Sequence, residues 1–197
     1  MNSLIVRNQN DTDAAFERLS AASAVGCDTE TTGLTPESGK LLSVQFSDGE
    51  INVFVPSSEG VRLGKLGLLL ADKTTIKIFH NARFDLAFLE GSGYKTHNIY
   101  DTMLAEKVLT RGADQSASLA ETLYRYFAID LDKSQRKSFG RNWNRKWTPE
   151  LVEYAMNDVI HLTALMNEQV DWMEKLGLRE DYERSLKKMI FSRRKTQ

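Results

Sequence analysis

The stretch LLSVQFSDGEINVFVP, Leu41 to Pro56, limits the fold more than any other part of the chain. Two alternating apolar runs flank Asp48-Gly49, a pair suited to a tight reversal, so the segment predicts an antiparallel hairpin. The apolar run AVGCDTE precedes it, and the β-branched run TTIKIFH follows it; both read as strands. SLIVR near the start is an edge-strand candidate, and NDTDAAFERLSAAS is a helix behind cap-type residues. VRLGKLGLLLAD is expected to be helical in spite of its two interior glycines. After TTIKIFH the pattern turns helical: RFDLAFLEGSG is a short helix, NIYD a brief strand, and DTMLAEKVL and SLAETLYRYF are helices. Pro149 follows the cap residue Thr148, and from there PELVEYAMNDVIHLTALMNEQVDWMEKLG reads as one long helix closed by Gly177, with LREDYERSLKKMIF as the last helix. A hairpin followed by strand–helix alternation predicts an α/β fold with a mixed sheet. At 197 residues the chain suits a single domain over 1–197 with a sizeable core.

The end of the first central strand carries chemistry. Asp28 and Glu30 stand at i and i+2, so their carboxylates point to one face and repel unless a cation lies between them. Taken alone, such a pair is most often a solvated strand end. Asp85 opens an otherwise apolar helix directly after a strand, where a helix dipole also favours an acid. Tyr154 and Asp158 share one face of the helix after Pro149, at i and i+4. Together these positions supply four carboxylates at strand ends or on helices able to cover them. That donor set suits hard divalent cations, which prefer oxygen ligands. Two such ions about 4 Å apart can hold a phosphodiester between them. A tyrosine beside that site can hold the attacking water through its hydroxyl.

Charge distribution points to the same class of substrate. The net charge is only -1, but residues 1–50 hold eight acids against three bases, whereas KSQRKSFGRNWNRKW, 133–147, holds six bases and no acid. Phe139, Trp143 and Trp147 lie within that basic run, which suits single-stranded nucleic acid, since bases stack on aromatics at about 1–3 kcal/mol each. Lys133, Arg136, Lys137 and Arg141 are the expected phosphate contacts. The last fourteen residues form a second basic stretch, with six bases and no acid. The single cysteine, Cys27, sits in an apolar strand and reads as a buried reduced thiol; with no membrane-length apolar run and no leader-like start, the expected location is cytoplasmic and no membrane partner is expected. His80 and His161 give no reason to be read as metal ligands.

DTETTGL, HNARFD and YAMND, in this order, resemble the three exonuclease motifs of the DEDD superfamily of 3′–5′ exonucleases, the set found in proofreading domains of family A DNA polymerases and in ribonuclease D. Where one branch of that family has histidine five residues before its last aspartate, this chain has Glu153; where the other has tyrosine four residues before, it has Tyr154. The sequence therefore resembles the tyrosine branch, over about Val25 to Asn167. The resemblance implies a ribonuclease H-like fold with a five-stranded mixed sheet flanked by helices. It also implies two divalent cations, Mg2+ or Mn2+, with Asp28 bridging both, Glu30 and Asp158 completing one site, and Asp85 holding the second ion through water. Tyr154 orients the nucleophilic water. By the same resemblance Leu34 wedges against the terminal bases, Asn81 and Phe84 contact the terminal nucleotide, and His80 is a substrate neighbour; for Leu34 and Phe84 plain core packing is the competing reading.

The implied function is a metal-dependent 3′–5′ exonuclease releasing nucleoside 5′-monophosphates from a single-stranded 3′ end. DNA is favoured, because the chain has no room for the extra helical domains of ribonuclease D and HNARFDLAFL resembles the polymerase-type motif more closely. A polymerase or repair partner is then expected in trans. A ribonuclease D-like exoribonuclease is the alternative reading. A non-catalytic nucleic-acid-binding module is disfavoured, because a degenerate site is expected to lose a carboxylate and none is missing. Oligomeric state is not legible.

Overall fold

Among the described residues, 2–131, 143 and 146–194 of the computed structural model, six strands form one sheet. They are β1 (Asn2–Ile5), β2 (Ala24–Thr31), β3 (Leu41–Ser47), β4 (Ile51–Val55), β5 (Ile76–Phe79) and β6 (Ile99–Asp101), in the order β1-β4-β3-β2-β5-β6. β3 runs antiparallel to both β2 and β4, and β1, β5 and β6 add parallel pairs at the two sides. The mixed sheet of an α/β fold is therefore present, but with six strands instead of five. The segment read as an edge strand, SLIVR, supplies the extra one by pairing with β4. The hairpin forms as expected: Asp48 Oδ1 accepts from the N–H groups of Glu50 and Ile51, and Gly49 adopts φ +97°.

The helices are α1 (Gln9–Leu19), α2 (Leu66–Ala71), α3 (Ala82–Gly91), α4 (Thr102–Leu109), α5 (Leu119–Phe127), α6 (Pro149–Ile160), α7 (Leu162–Leu176) and α8 (Arg179–Arg194). α1 starts at Asn8 with a reciprocal capping box to Asp11, and α6 starts with the Thr148 hydroxyl accepting from the Leu151 N–H. Two sequence expectations are corrected. The helix read over VRLGKLGLLLAD shrinks to α2, because Gly64 takes a left-handed backbone (φ +51°) that ends any helix before it. The single long helix after Pro149 is two: His161, at φ -99° and ψ -1°, separates α6 from α7. No helix of the described residues is long and apolar enough to cross a membrane.

Strand alternation divides β2 between two layers. Val25 and Cys27 enter a core with Val44, Phe46, Leu66 and Leu86, beneath α1, α2 and α3. Ala24 and Gly26 face the other way, toward Val159 and Leu162 at the α6–α7 junction. Asp28 and Glu30 continue that second face. A ladder irregularity sits beside them: Glu30 pairs with Ser43 but Thr31 pairs with Leu41, so Leu42 is the extra residue of a bulge. The bulge turns Leu42 onto α6, where it packs with Leu151 and Tyr154.

Candidate active site

Two different segments supply one acidic cluster. Asp28 and Glu30 project from β2, and α6 lays Asp158 against them, so that oxygen atoms from all three lie within 4.8 Å of one another. All three side chains are half-buried, open enough for a ligand to enter. Three carboxylates this close favour an added cation, and their hard oxygen donors suit a divalent one. The approach of α6 depends on residue 26. A Cβ there would stand 2.8 Å from the Val159 carbonyl oxygen and 3.1 Å from Leu162 Cβ, so only glycine lets the helix junction lie on β2. Tyr154, one turn before Asp158, is buried among Leu42, Leu151, Trp143 and Trp147.

The fourth expected carboxylate stands apart from this cluster. Asp85, in the first turn of α3, is buried and accepts from the Thr29 N–H at 3.0 Å and the Thr29 hydroxyl at 2.7 Å. Thr29 lies between Asp28 and Glu30 in sequence, so Asp85 anchors the same three-residue step. Burial pushes its carboxyl up to about 7, against the two hydrogen bonds from Thr29. Ligand or not, Asp85 is fixed within one residue of both β2 acids.

The α3 start is held by a residue that the sequence reading passed over. Asp101, at the end of β6, accepts from the N–H groups of Asn81 (3.1 Å), Ala82 (2.9 Å), Met103 (3.0 Å) and Leu104 (3.1 Å). One carboxylate thus ties the first turns of α3 and α4 together and steadies Asn81, whose φ of 73° is unusual for a residue with a side chain. The Asp101 N–H is bonded to the Tyr182 hydroxyl from α8. The readable signal was an aspartate at a strand end immediately before a helix.

The expected substrate residues divide. Leu34 is 84% exposed at the tip of the β2–β3 loop, which excludes core packing. Phe84 is half-buried, with its ring 5.1 Å from that of Phe88. Asn81 is exposed, and His80 Nδ1 pairs with the Thr102 hydroxyl at 2.8 Å. His161 is half-buried at the helix break, outside the acidic cluster, and burial lowers its pKa. Lys133, Arg136, Phe139, Lys137 and Arg141 lie outside the described residues.

Trp143 and Trp147, expected from the sequence to contact bases, are partly buried against the protein. Their rings lie 5.1 Å apart, Trp147 packs edge-on against Phe54 at 4.7 Å, and its Nε1 donates to Ser58 Oγ. Both lean on apolar side chains of α6. The basic run disguised them, because apolar periodicity is weak in a segment that enters a helix from a loop.

Comparison with known proteins adds independent findings. A family model described as 3′–5′ exonuclease matches residues 4–169. Ribonuclease D of Desulfotalea psychrophila is 33% identical over 165 residues, covering 81% of this chain and 42% of that protein. DNA polymerase I of Aquifex aeolicus is 28% identical over 163 residues, covering 82% of this chain and 26% of that one. Among solved structures, Brucella melitensis NrnC with bound Mg2+ matches with a TM-score of 0.80 at 26% identity, over 98% of this chain and 90% of that one, and the same protein bound to pGG matches with a TM-score of 0.81. This chain spans less than half the length of the ribonuclease D relatives it matches.

Proposed function

Because this chain belongs to the 3′–5′ exonuclease family of the DEDD superfamily, we propose that it is a ribonuclease D-like exoribonuclease that removes nucleoside 5′-monophosphates from single-stranded RNA 3′ ends. The observation that carries the reading is the triad of Asp28, Glu30 and Asp158, converging from β2 and α6. RNA replaces the DNA preference expected from HNARFDLAFL, because most of the relatives found are named ribonuclease D and NrnC was solved with pGG. The reading needs no polymerase partner, and cytoplasmic RNA ends are its natural substrate.

Each residue has a distinct role in this reading. Asp28, Glu30 and Asp158 would hold one divalent cation, and Asp85 would help hold a second. When bound, two such ions neutralise the phosphodiester and lower the cost of charge developing on it. The Tyr154 hydroxyl aims a water molecule at phosphorus, and Glu30 accepts a hydrogen bond from that water and takes its proton. A new P–O bond forms from the water oxygen as the P–O3′ bond breaks. The released 3′ oxygen takes a proton from solvent, leaving a chain one nucleotide shorter. Leu34 separates the last two bases, and Asn81 and Phe84 hold the departing nucleotide beside His80. Lys133, Arg136, Lys137 and Arg141 meet the upstream phosphates.

The test uses RNA and DNA of one sequence, labelled at the 5′ end, with Mg2+, Mn2+ or chelator, beside an Asp158→Ala variant. A metal-dependent ladder shortening from the 3′ end, faster on RNA and missing in the variant, is the expected result. Faster loss of DNA would return the reading to a DNA exonuclease. Binding without degradation in either metal would replace it with a nucleic-acid-binding module.

A further inference from the structure

A cleft of about 530 Å3 opens on the α3 side of the sheet, at the end of the β2–β3 ladder. Lys40 enters it from the β2–β3 loop and Leu41 from the start of β3, Arg62 from the segment after β4, and Phe88 and Tyr94 from α3 and the turn behind it. No acidic side chain lines it, and among the described residues neither Lys40 nor Arg62 has an ion-pair partner. Two cations without ion-pair partners, beside the part-buried Tyr94, are elements of a site for a phosphate-bearing chain.

Position links the cleft to the acidic triad. The Thr32 N–H donates to the Lys40 carbonyl at 3.1 Å, and the Lys40 N–H donates to the Thr32 hydroxyl at 2.9 Å. Lys40 therefore sits two residues along the ladder from Glu30, about 7 Å at ~3.3 Å per residue. The loop between them is rigidly set. A Cβ on Gly33 would lie 2.9 Å from the Gly39 Cα, so the loop's two limbs touch, and a Cβ on Gly91 would lie 3.0 Å from Pro36 Cβ, so the loop also rests on the end of α3. The same loop carries the exposed Leu34 at its tip. Trp147 Nε1, bonded to Ser58 Oγ, braces the segment after β4 from the α6 side. The cleft is thus preformed at the same end of the β2–β3 ladder as Glu30, on the α3 face of the sheet, while the triad lies on the α6 face, and α3 joins the two by carrying both Asp85 and Phe88.

We propose that this cleft holds the phosphodiester backbone of nucleotides upstream of the one being removed, with Lys40 and Arg62 on successive phosphates. The proposal rests on the exonuclease reading for the direction of the strand. It makes the protein a reader of chain length, gripping oligonucleotides more tightly than dinucleotides.

The experiment compares the protein with Lys40→Ala/Arg62→Ala and Lys40→Glu/Arg62→Glu, using a 5′-labelled RNA 10-mer and a dinucleotide. The kcat/KM ratio of 10-mer to dinucleotide should fall about tenfold in the alanine variant, mostly through KM, and further in the glutamate variant. Losing two phosphate contacts should flatten the plot of log affinity against log salt by ~1.4. Fluorescence anisotropy of the 10-mer with each protein in chelator reads the cleft without turnover. Equal anisotropy affinities and equal salt slopes across the three proteins would overturn the proposal even if hydrolysis proceeds. Absent hydrolysis with weakened variant binding would refute the exonuclease reading and leave the cleft assigned. Unchanged melting temperatures show that the exposed substitutions leave the fold intact.

Discussion

The carbonyl oxygen of Val159 lies 2.8 Å from where a Cβ on Gly26 would be. That contact closes α6 on β2 and brings Asp158 to Asp28 and Glu30. Gly26→Ala must push the α6–α7 junction outward, since backbone cannot rotate away as a side chain can. The variant should lose about 1–3 kcal/mol of stability and most of its nuclease activity. Chemical denaturation reads the first and 3′-end trimming the second. A variant with native activity would show that the triad does not depend on this approach.

Removing one charge from the triad should separate stability from function. In chelator, Asp158→Asn relieves repulsion between half-buried carboxylates and should gain about 1 kcal/mol, a rise of ~2–4 °C in melting temperature. Adding Mg2+ should raise the melting temperature of the parent protein and leave the variant unmoved, by the linkage between ligand binding and folding. A variant still stabilised by Mg2+ would place the ion elsewhere.

The packing of Tyr154 and the water-orienting role proposed for it can be divided by a single substitution. Tyr154→Phe keeps the ring among Leu42, Leu151 and the two tryptophans but removes the hydroxyl. It should cut kcat about a hundredfold while KM and the Mg2+-induced thermal shift hold. A fall in KM-dependent terms alone would assign the residue to substrate binding.

Burial raises Asp85 to about 7, well above an unfolded aspartate. Between about pH 4 and 7 the folded chain therefore keeps a proton that the unfolded chain has released. In metal-free protein, stability should fall as pH rises through that window, by as much as ~4 kcal/mol, and level off above it. Asp101, also raised by burial despite four backbone donors, adds in the same direction, whereas His161, lowered by burial, works against it. Urea titrations from pH 4 to 8 should show a shallower slope for Asp85→Asn than for the parent. Parallel slopes would assign the effect to other groups.

Trp147→Ala separates a packing role of Trp147 from the base contact expected of it. Loss of the Phe54 and Trp143 contacts and the Ser58 hydrogen bond should cost about 3 kcal/mol. RNA affinity of the protein that remains folded should stay within twofold. A selective loss of affinity without destabilisation would restore the stacking role.

Local signals made much of this legible. The Asp48-Gly49 turn, the Thr148-Pro149 start and the paired acids of β2 all act within a few residues, so pattern exposes them. The sixth strand was visible as SLIVR, but its parallel pairing with β4 depends on a partner about fifty residues away. The break at His161 escaped because apolar spacing continues across it; the turn serves α7's packing on Ala24 and Ile78, not any local preference. Asp85 was named correctly as an acid at a helix start, but its bond to Thr29 required knowing which face of β2 meets α3. Gly26 looked like an ordinary strand glycine until α6 was in place above it.

The split origin of the triad also orders events during synthesis. A ribosome working at roughly 5–20 residues per second delivers Asp28 and Glu30 on the order of 10 s before Asp158. Until α6 emerges and settles over Gly26, the nascent chain carries two acids and no cluster to hold a cation. On the exonuclease reading, the chain therefore completes its acidic triad only late in its own translation.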